Sequence, residues 1–473
     1  MKSIAFCEFA ELLSLLATAQ LAVAKKASFA ELSLSRSAAP LPSTLKKRQS
    51  NLPLTRSFGN ETYTVNVDIG NPKQSVKLAV DVGSYVTYVL ETCEENYFYI
   101  EQCKTFGTYN ESLSSSSKYV SSDEAYIDND DGSSYSLVHY ADDLTIQGED
   151  TLKNVTFGVY EYPSAVHSGS LGLGFGRGVN SNHSNVVDEL VSQGVMQTKA
   201  FGLALGTGHS LNEGSLVLGG VDTKKFAGAL QKVPIIDPPK YPFDYEEFRY
   251  WMNVDSLTLR NGINESSHPG FKVMTHSMDE VSYLPTKVVN EIASAFGIYN
   301  TSDEIDEWYV VPCESKDLVK GSVDLHFGAL NVSIPYADFI ISSTQLEEID
   351  YETARELCYL STFPWDDLEV EKDIDFYYLG HPFLRAVYAV YDQDNRAMWL
   401  ANRNECGSDI KEITKSEDSI SGIRGQCDGS GLESSFGSNS TDNNRDAEGL
   451  GTRTRASIGA LAISMFAWFL MGF

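Results

Sequence analysis

Positive charge is what this sequence has least of. Its 473 residues carry 36 Lys+Arg against 65 Asp+Glu, a formal net charge of −29. Such a surface repels a phosphate backbone, so nucleic acid is excluded as a partner, while basic peptides or an acidic working environment fit better. Seven cysteines are too few for a disulfide miniprotein in a chain that is 42% apolar, and none has the spacing or histidine company of a zinc site. Neither a metal nor another cofactor is expected. Apolar periodicity of three or four residues is scarce, which excludes a coiled coil and an all-helical bundle. What is plentiful is Gly (36), Tyr (25) and Phe (23) in alternating stretches, the composition of sheet, in an amount that fills at least two ordinary cores.

Both ends read as processing segments. Leu12 to Ala24 is a mostly apolar run behind Lys2 that closes on Ala22-Val23-Ala24. It is too short to span a bilayer and reads, over residues 1–24, as a secretory signal. Residues 25–48 end on Lys46-Lys47-Arg48, a basic run of the kind processing proteases cut, and are read as a propeptide. Removing 1–48 takes away more basic than acidic residues, so maturation makes the protein more acidic. At the other end Ala456 to Phe473 is an uncharged apolar tail behind the Ser/Asn/Gly/Asp-rich stretch Ser430 to Gly451. Small residues, a polar spacer and a terminal apolar tail form the pattern exchanged for a GPI anchor; a tail-anchored helix is the alternative. Either way the protein ends at a membrane.

Cys7 leaves with the signal, and Cys93, Cys103, Cys313, Cys358, Cys406 and Cys427 remain. An even number in an exported chain implies three disulfides, and nearest-neighbour pairing, one of several connectivities, keeps each bridge local. Asn-x-Ser/Thr at Asn60, Asn110, Asn154, Asn182, Asn264, Asn300, Asn331 and Asn439 implies a glycoprotein.

The chemistry sits in an internal repeat. Val76 to Leu90 aligns without gaps on Phe271 to Pro285, each copy an apolar run, a short polar turn and a second apolar run. Leu171-Gly172-Leu173-Gly174-Phe175 then follows the first copy and Leu379-Gly380-His381-Pro382-Phe383 the second. Two similar β-rich lobes are implied, with their polar turns facing one another across a cleft.

With Asp81-Val82-Gly83-Ser84, Tyr63 to Pro72, Gly219-Gly220-Val221-Asp222-Thr223 and Tyr250-Trp251-Met252-Asn253-Val254 in this order, the chain resembles the pepsin family of aspartic peptidases from about Tyr63 to Ala401. Within that family it looks like the fungal GPI-anchored yapsins. The resemblance implies a mostly β, bilobal pepsin-like domain over 58–405, with lobes of about 58–235 and 236–405; the composition beyond it marks a hydrophilic linker 406–451 and an attachment tail 452–473. It also implies two carboxylates, one per lobe, that hold a water and share one proton because like charges so close cannot both ionise. One then takes a proton from the water while the other gives one to the peptide carbonyl.

Here the second carboxylate is missing. Asp81 matches the first, with Gly83 and Ser84 kept, but its counterpart falls on His276, followed by Ser277, Met278 and Asp279. Asp279 comes three residues late and is the spare candidate. Val82 replaces the threonine that helps lock the two turns, and Met278 stands where the family has a glycine. The flap matches Asn129-Asp130-Asp131-Gly132-Ser133, so Asn129 takes the place of the flap tyrosine, with Tyr126 nearby and Gly132 at the turn. An Asp⁻/His⁺ pair of Asp81 and His276 would supply a base and an acid, with the imidazolium stabilising Asp81 as an anion and lowering its basicity.

Three acidic clusters stand out: Glu94, Glu95 and Glu101 between two cysteines; Asp123, Glu124, Asp128, Asp130 and Asp131 beside the flap; and Asp366, Asp367, Glu369, Glu371, Asp373 and Asp375. A solvated acidic surface is the expected reading, with the third cluster an exposed loop; the alternative is that carboxylates lining a cleft attract Lys or Arg side chains, the preference the yapsin resemblance implies. The expected protein is a secreted, surface-anchored monomer that holds a peptide or protein ligand in its cleft with little or no hydrolysis. The rivals are a working endopeptidase at acid pH and a glycosylated wall scaffold.

Overall fold

The computed structural model describes residues 30–37, 62–93, 100–123, 137–147, 151–160, 168–206, 214–239, 248–298, 307–342, 349–350, 355–364, 377–428 and 452–455. The signal run, the flap and the apolar tail lie outside them. No helix among the described residues is long and apolar enough to cross a membrane.

Two β lobes are built from the same device. In the first lobe Gln74–Asp81 runs parallel to Gly169–Gly172, with Leu78 opposite Gly169 and Val80 opposite Leu171. In the second, Asn264–Thr275 runs parallel to Tyr377–Leu379, with Val273 opposite Tyr377 and Thr275 opposite Leu379. The strand leaving each turn returns antiparallel, pairing Tyr88 with Ser170 and Tyr283 with Tyr378. Burial follows sequence. Asn264–Thr275 is mostly exposed until its last three residues, Val273-Met274-Thr275, and the last four of Gln74–Asp81 are all buried. Strands become apolar where they reach the middle of the molecule, because there both faces are covered.

Each apolar-Gly element packs against the turn of its own lobe. Gly172 N–H donates to Thr87 Oγ1 and Gly380 N–H to Ser282 Oγ, both at 3.1 Å. A Cβ on Gly172 would strike the Val86 carbonyl, and one on Gly380 the Val281 carbonyl, so both positions require glycine. The sequence repeat is a repeat of contacts.

The lobes do not part at residue 235 as a single cut. Val387–Asp392 and Ala397–Asn402, late in the chain, join the first-lobe strand Ala200–Ala204 and the strand Gln231–Pro234 in a 13-stranded sheet. Tyr391 stacks on Phe201 at 4.9 Å and meets Tyr250 edge-on at 4.6 Å there. The expected linker starting at 406 is also corrected. Ile410–Glu412 pairs with Gly220–Asp222, and Ile413 and Ile420 are fully buried with Phe226 and Tyr388. The folded body therefore includes residues 406–428, and Thr452–Arg455 pairs antiparallel with Glu307–Val310, so the expected attachment tail starting at 452 is corrected as well. Hydrophilic composition concealed a few apolar anchors spaced along the segment. The three disulfides are Cys93–Cys103, Cys313–Cys358 and Cys406–Cys427, the nearest-neighbour set.

Candidate active site

Asp81 ends its strand inside the molecule, with 2% of its surface exposed. Gly83 N–H donates to its Oδ1 at 2.7 Å and Ser84 N–H at 3.2 Å, while Ser170 Oγ donates to Oδ2 at 3.3 Å. Backbone bonds fix the turn as well: Leu173 N–H donates to Asp81 O and Gly174 N–H to Ser84 O.

His276 occupies the matching place in the second lobe. Its N–H donates to Leu379 O at 3.0 Å, and its ring reaches across to the first turn. A Cβ on Gly83 would lie 2.5 Å from His276 Cδ2, 2.7 Å from Nε2 and 3.2 Å from Asp81 Oδ1. Imidazole and carboxylate thus flank one point, and only glycine at 83 leaves room for the ring. The two turns are joined by Ser277: Val82 N–H donates to Ser277 Oγ at 2.9 Å, and Ser277 Oγ donates to Val80 O at 2.6 Å. His381, fully buried, bonds the Ser277 carbonyl through Nε2 at 2.9 Å and packs edge-on against Tyr63. This fixes the carbonyl side of the same residue.

The surroundings of His276 disfavour the imidazolium of an Asp⁻/His⁺ pair. Burial, with the Arg249 guanidinium adding to it, pushes the imidazole down from 6.5 to about 3. Arg249 is itself buried. At pH values well above 3 the ring is neutral and supplies no imidazolium to Asp81. Its Nδ1 is buried with no hydrogen-bond partner among the described residues.

Asp279 aligns with Ser84 rather than with Asp81. Ser84 Oγ accepts from Val86 N–H, and the Asp279 carboxyl accepts from Val281 N–H in the same way. Its Oδ2 also accepts from Tyr378 OH at 2.6 Å. Burial pushes this carboxyl up to about 6 despite those two donors. Met278, the counterpart of Gly83, is half-buried.

Sequence reading found Asp81, Gly83, Ser84, His276, Ser277 and Asp279, and the structure brings their turns together. It missed Ser170, Tyr378, Arg249 and His381. Only the paired hydroxyls Thr87 and Ser282, at matching places in the repeat, left a signal that had not been used. Asn129, Gly132 and Tyr126 of the flap lie outside the described residues, as do Glu94, Glu95, Glu124, Asp128, Asp130, Asp131 and the Asp366–Asp375 cluster. Of the sequons, Asn154, Asn182, Asn264 and Asn331 are exposed, while Asn110 is half-buried and caps the turn Glu111–Leu113. Asn60, Asn300 and Asn439 fall outside. Among the described residues no group of three or more His, Cys, Asp or Glu is placed to hold a metal ion.

Residues 62–403 match the family model described as eukaryotic aspartyl protease. The chain is 27% identical over 396 residues to the probable aspartic-type endopeptidase opsB of Aspergillus oryzae, covering 81% of this chain and 78% of that protein. It is 30% identical over 310 residues to candidapepsin-2 of Candida parapsilosis, covering 64% and 69%. With barrierpepsin of Saccharomyces cerevisiae it shares 27% over 402 residues, 76% of this chain and 64% of that one.

Proposed function

The chain belongs to the eukaryotic aspartyl protease family, and from that premise we propose that it is a pseudo-peptidase, a member that keeps the peptide-binding cleft but has lost most or all hydrolysis. The observation that carries this is the neutral His276 ring set against Gly83 beside Asp81. A dyad works by sharing one proton between two carboxylates; here one seat is filled by an imidazole, bulkier than a carboxylate and pushed down to about 3 by burial. Loss of a well-placed acid or base removes about 10²–10⁴ in rate. The test is recombinant protein on mixed peptides at acid pH beside an Asp81→Asn control. Cleavage that disappears in the control sinks the reading; peptide binding without cleavage supports it, and no binding at all leaves the wall scaffold.

A second reading has one observation behind it. Asp279 is a carboxyl pushed up to about 6 within the second turn, so at acid pH it carries a proton. An active endopeptidase would use Asp81 as base and Asp279 as acid. Asp279→Asn separates the two readings, since only under this one does it abolish cleavage.

Around the cleft the reading is that of an exported, surface-held glycoprotein of yapsin type. Residues 1–24 are the signal, Lys46–Arg48 is a processing site, and the C-terminal tail is exchanged for a GPI anchor at the plasma membrane or cell wall. The protein acts as a monomer on a peptide or protein ligand, with acidic loops favouring basic side chains. Three disulfides and the exposed sequons support passage through an oxidising compartment. Release from cells by phosphatidylinositol-specific phospholipase C tests the anchor.

A further inference from the structure

Separate stretches of chain, each carrying an arginine, converge on one aromatic ring beside the Asp81 turn. Phe248 holds the centre. Asn180 clasps its backbone, donating from Nδ2 to Phe248 O and accepting from Phe248 N–H, both at 2.8 Å. This brings in the loop from Arg177 to Ser181, which closes on itself through a bridge between those two residues. The Arg396 guanidinium lies over the Phe248 ring, 4.7 Å from its centroid, and Arg249 is the next residue along the chain. Arg177 and Arg396 are exposed, whereas Arg249 is buried.

This frame is tied to the Asp81 turn. Phe175 meets Phe248 edge-on at 4.8 Å, and it ends the apolar-Gly element whose Gly174 N–H donates to Ser84 O. Tyr250 OH and Gln393 Nε2 both donate to Leu173 O of that element, at 2.6 and 3.1 Å. The neighbours of Arg249 and Arg396 in sequence are thus bonded to the strand that supports the turn, and the charge of Arg249 is felt at the His276 ring.

In a chain of formal charge −29 an arginine should readily find a carboxylate. Among the described residues none pairs with Arg177 or Arg396, because the acids beside them are engaged elsewhere: Asp188 by Lys199 and the Asn185 cap, Asp394 by Thr198 Oγ1 and the Lys199 N–H. Arg396 also sits at φ 45°, a left-handed conformation that glycine enters freely and arginine only at a cost. A turn that had merely to reverse the chain would place glycine there. Strain kept at an exposed, uncompensated guanidinium points to a use for it.

We propose that Arg177, Arg249 and Arg396 form an anion-recognition corner of the cleft, where the bound peptide places a carboxylate, either an acidic side chain or its free C-terminus. The proposal rests on the peptide-binding cleft put forward above and gives its ligand a feature that the acidic loops do not select. The exposed pair offers planar forks that match a carboxylate bidentately, and the buried Arg249 adds a field that water screens poorly.

The test immobilises the whole protein and offers it random peptide pools of one length in three forms: neutral with an amidated C-terminus, the same with one Glu at a random position, and neutral with a free C-terminus. At about pH 6 and low ionic strength the probe carboxylates are ionised and little screened. Mass spectrometry of the retained peptides is expected to show at least one carboxylate-bearing pool held about tenfold better than the neutral amide, and which pool it is names the source of the carboxylate. Arg396→Gly, which also relieves the backbone, and Arg177→Gln should each lower that preference about threefold while the neutral pool is retained as before. Only the exposed arginines are varied, since loss of the buried Arg249 bears on folding. Equal retention of the three pools, or a preference indifferent to both variants, overturns the inference and leaves the cleft standing. Retention of no pool removes the peptide-binding cleft, and the inference falls with it.

Discussion

Ser277 and Val82 hold the two active-site turns together from one side only. The Ser277 hydroxyl takes the Val82 N–H at 2.9 Å and gives its proton to Val80 O at 2.6 Å. The repeat relates Val82 to Ser277, and valine has no hydroxyl with which to return the bond. One half of a symmetric lock is present and the other half is a methyl group. The turns remain in register because the surviving half is buried, with Ser277 at 1% exposure, where a hydrogen bond has no water to compete with it.

Removing the surviving half should therefore be expensive. Ser277→Ala leaves a buried N–H and a buried carbonyl without partners, and a loss of about 1–3 kcal/mol is expected. Val82→Thr should do the reverse, adding about 1 kcal/mol as its hydroxyl takes up the related bond on the second turn. Urea midpoints of the two variants against the parent check both signs. Equal stability for all three would mean the lock carries nothing.

Catalysis should be recoverable at the same place. His276→Asp restores a carboxylate to the second seat, and Met278→Gly relieves the position related to Gly83. The double variant is expected to hydrolyse peptides at acid pH about 10²–10⁴ faster than the parent, and adding Asp81→Asn should remove the gain. If the double variant stays silent while binding peptide as the parent does, His276 is not what silences the cleft.

The fold was legible because it is written twice. Val76–Leu90 and Phe271–Pro285 announced two matching strand–turn–strand units, and the register pairs Val80 with Leu171 and Thr275 with Leu379 accordingly. The seat of His276 followed from the same alignment. Its charge did not, because neutrality comes from burial and from Arg249, which is distant in sequence. Ser170 and Tyr378 were illegible for a related reason: each reaches the site from a neighbouring strand, and nothing local marks a serine or tyrosine as a donor to a particular carboxyl. The boundary at 405 failed where polar composition outweighed Ile413 and Ile420, whose burial depends on Phe226.

Those isoleucines lead to a prediction about stability far from the cleft. Ile420 is fully buried in the cluster with Phe226 and Tyr388, so Ile420→Ala should lose about 2–5 kcal/mol by removing transfer energy and leaving a cavity. Truncation after residue 405 should cost more, since it also takes away the strand paired with Gly220–Asp222. Thermal unfolding of the shortened protein is the measurement. An unchanged midpoint would return 406–428 to the status of a linker.

The pH dependence of stability should contain two opposing parts that can be separated. His276 titrates near 6.5 when unfolded and is pushed down to about 3 in the folded protein. Its contribution is present above 6.5 and is lost as pH falls toward 3, because the unfolded chain then binds the extra proton. Asp279 is shifted the other way, from 3.8 up to about 6, so its contribution is full below 3.8 and is lost as pH rises through 6. Between about pH 6 and pH 4 the unfolded state holds one more proton at His276 and the native state one more at Asp279, and the slopes cancel. His276→Asn should unmask the second part, with stability rising toward acid by up to about 1.4 kcal/mol per pH unit in that window. Asp279→Asn should unmask the first, with stability falling toward acid by a similar amount. Urea midpoints at pH 4, 5 and 6 for the parent and both variants decide it: parallel curves for all three would mean that neither group is shifted by the fold.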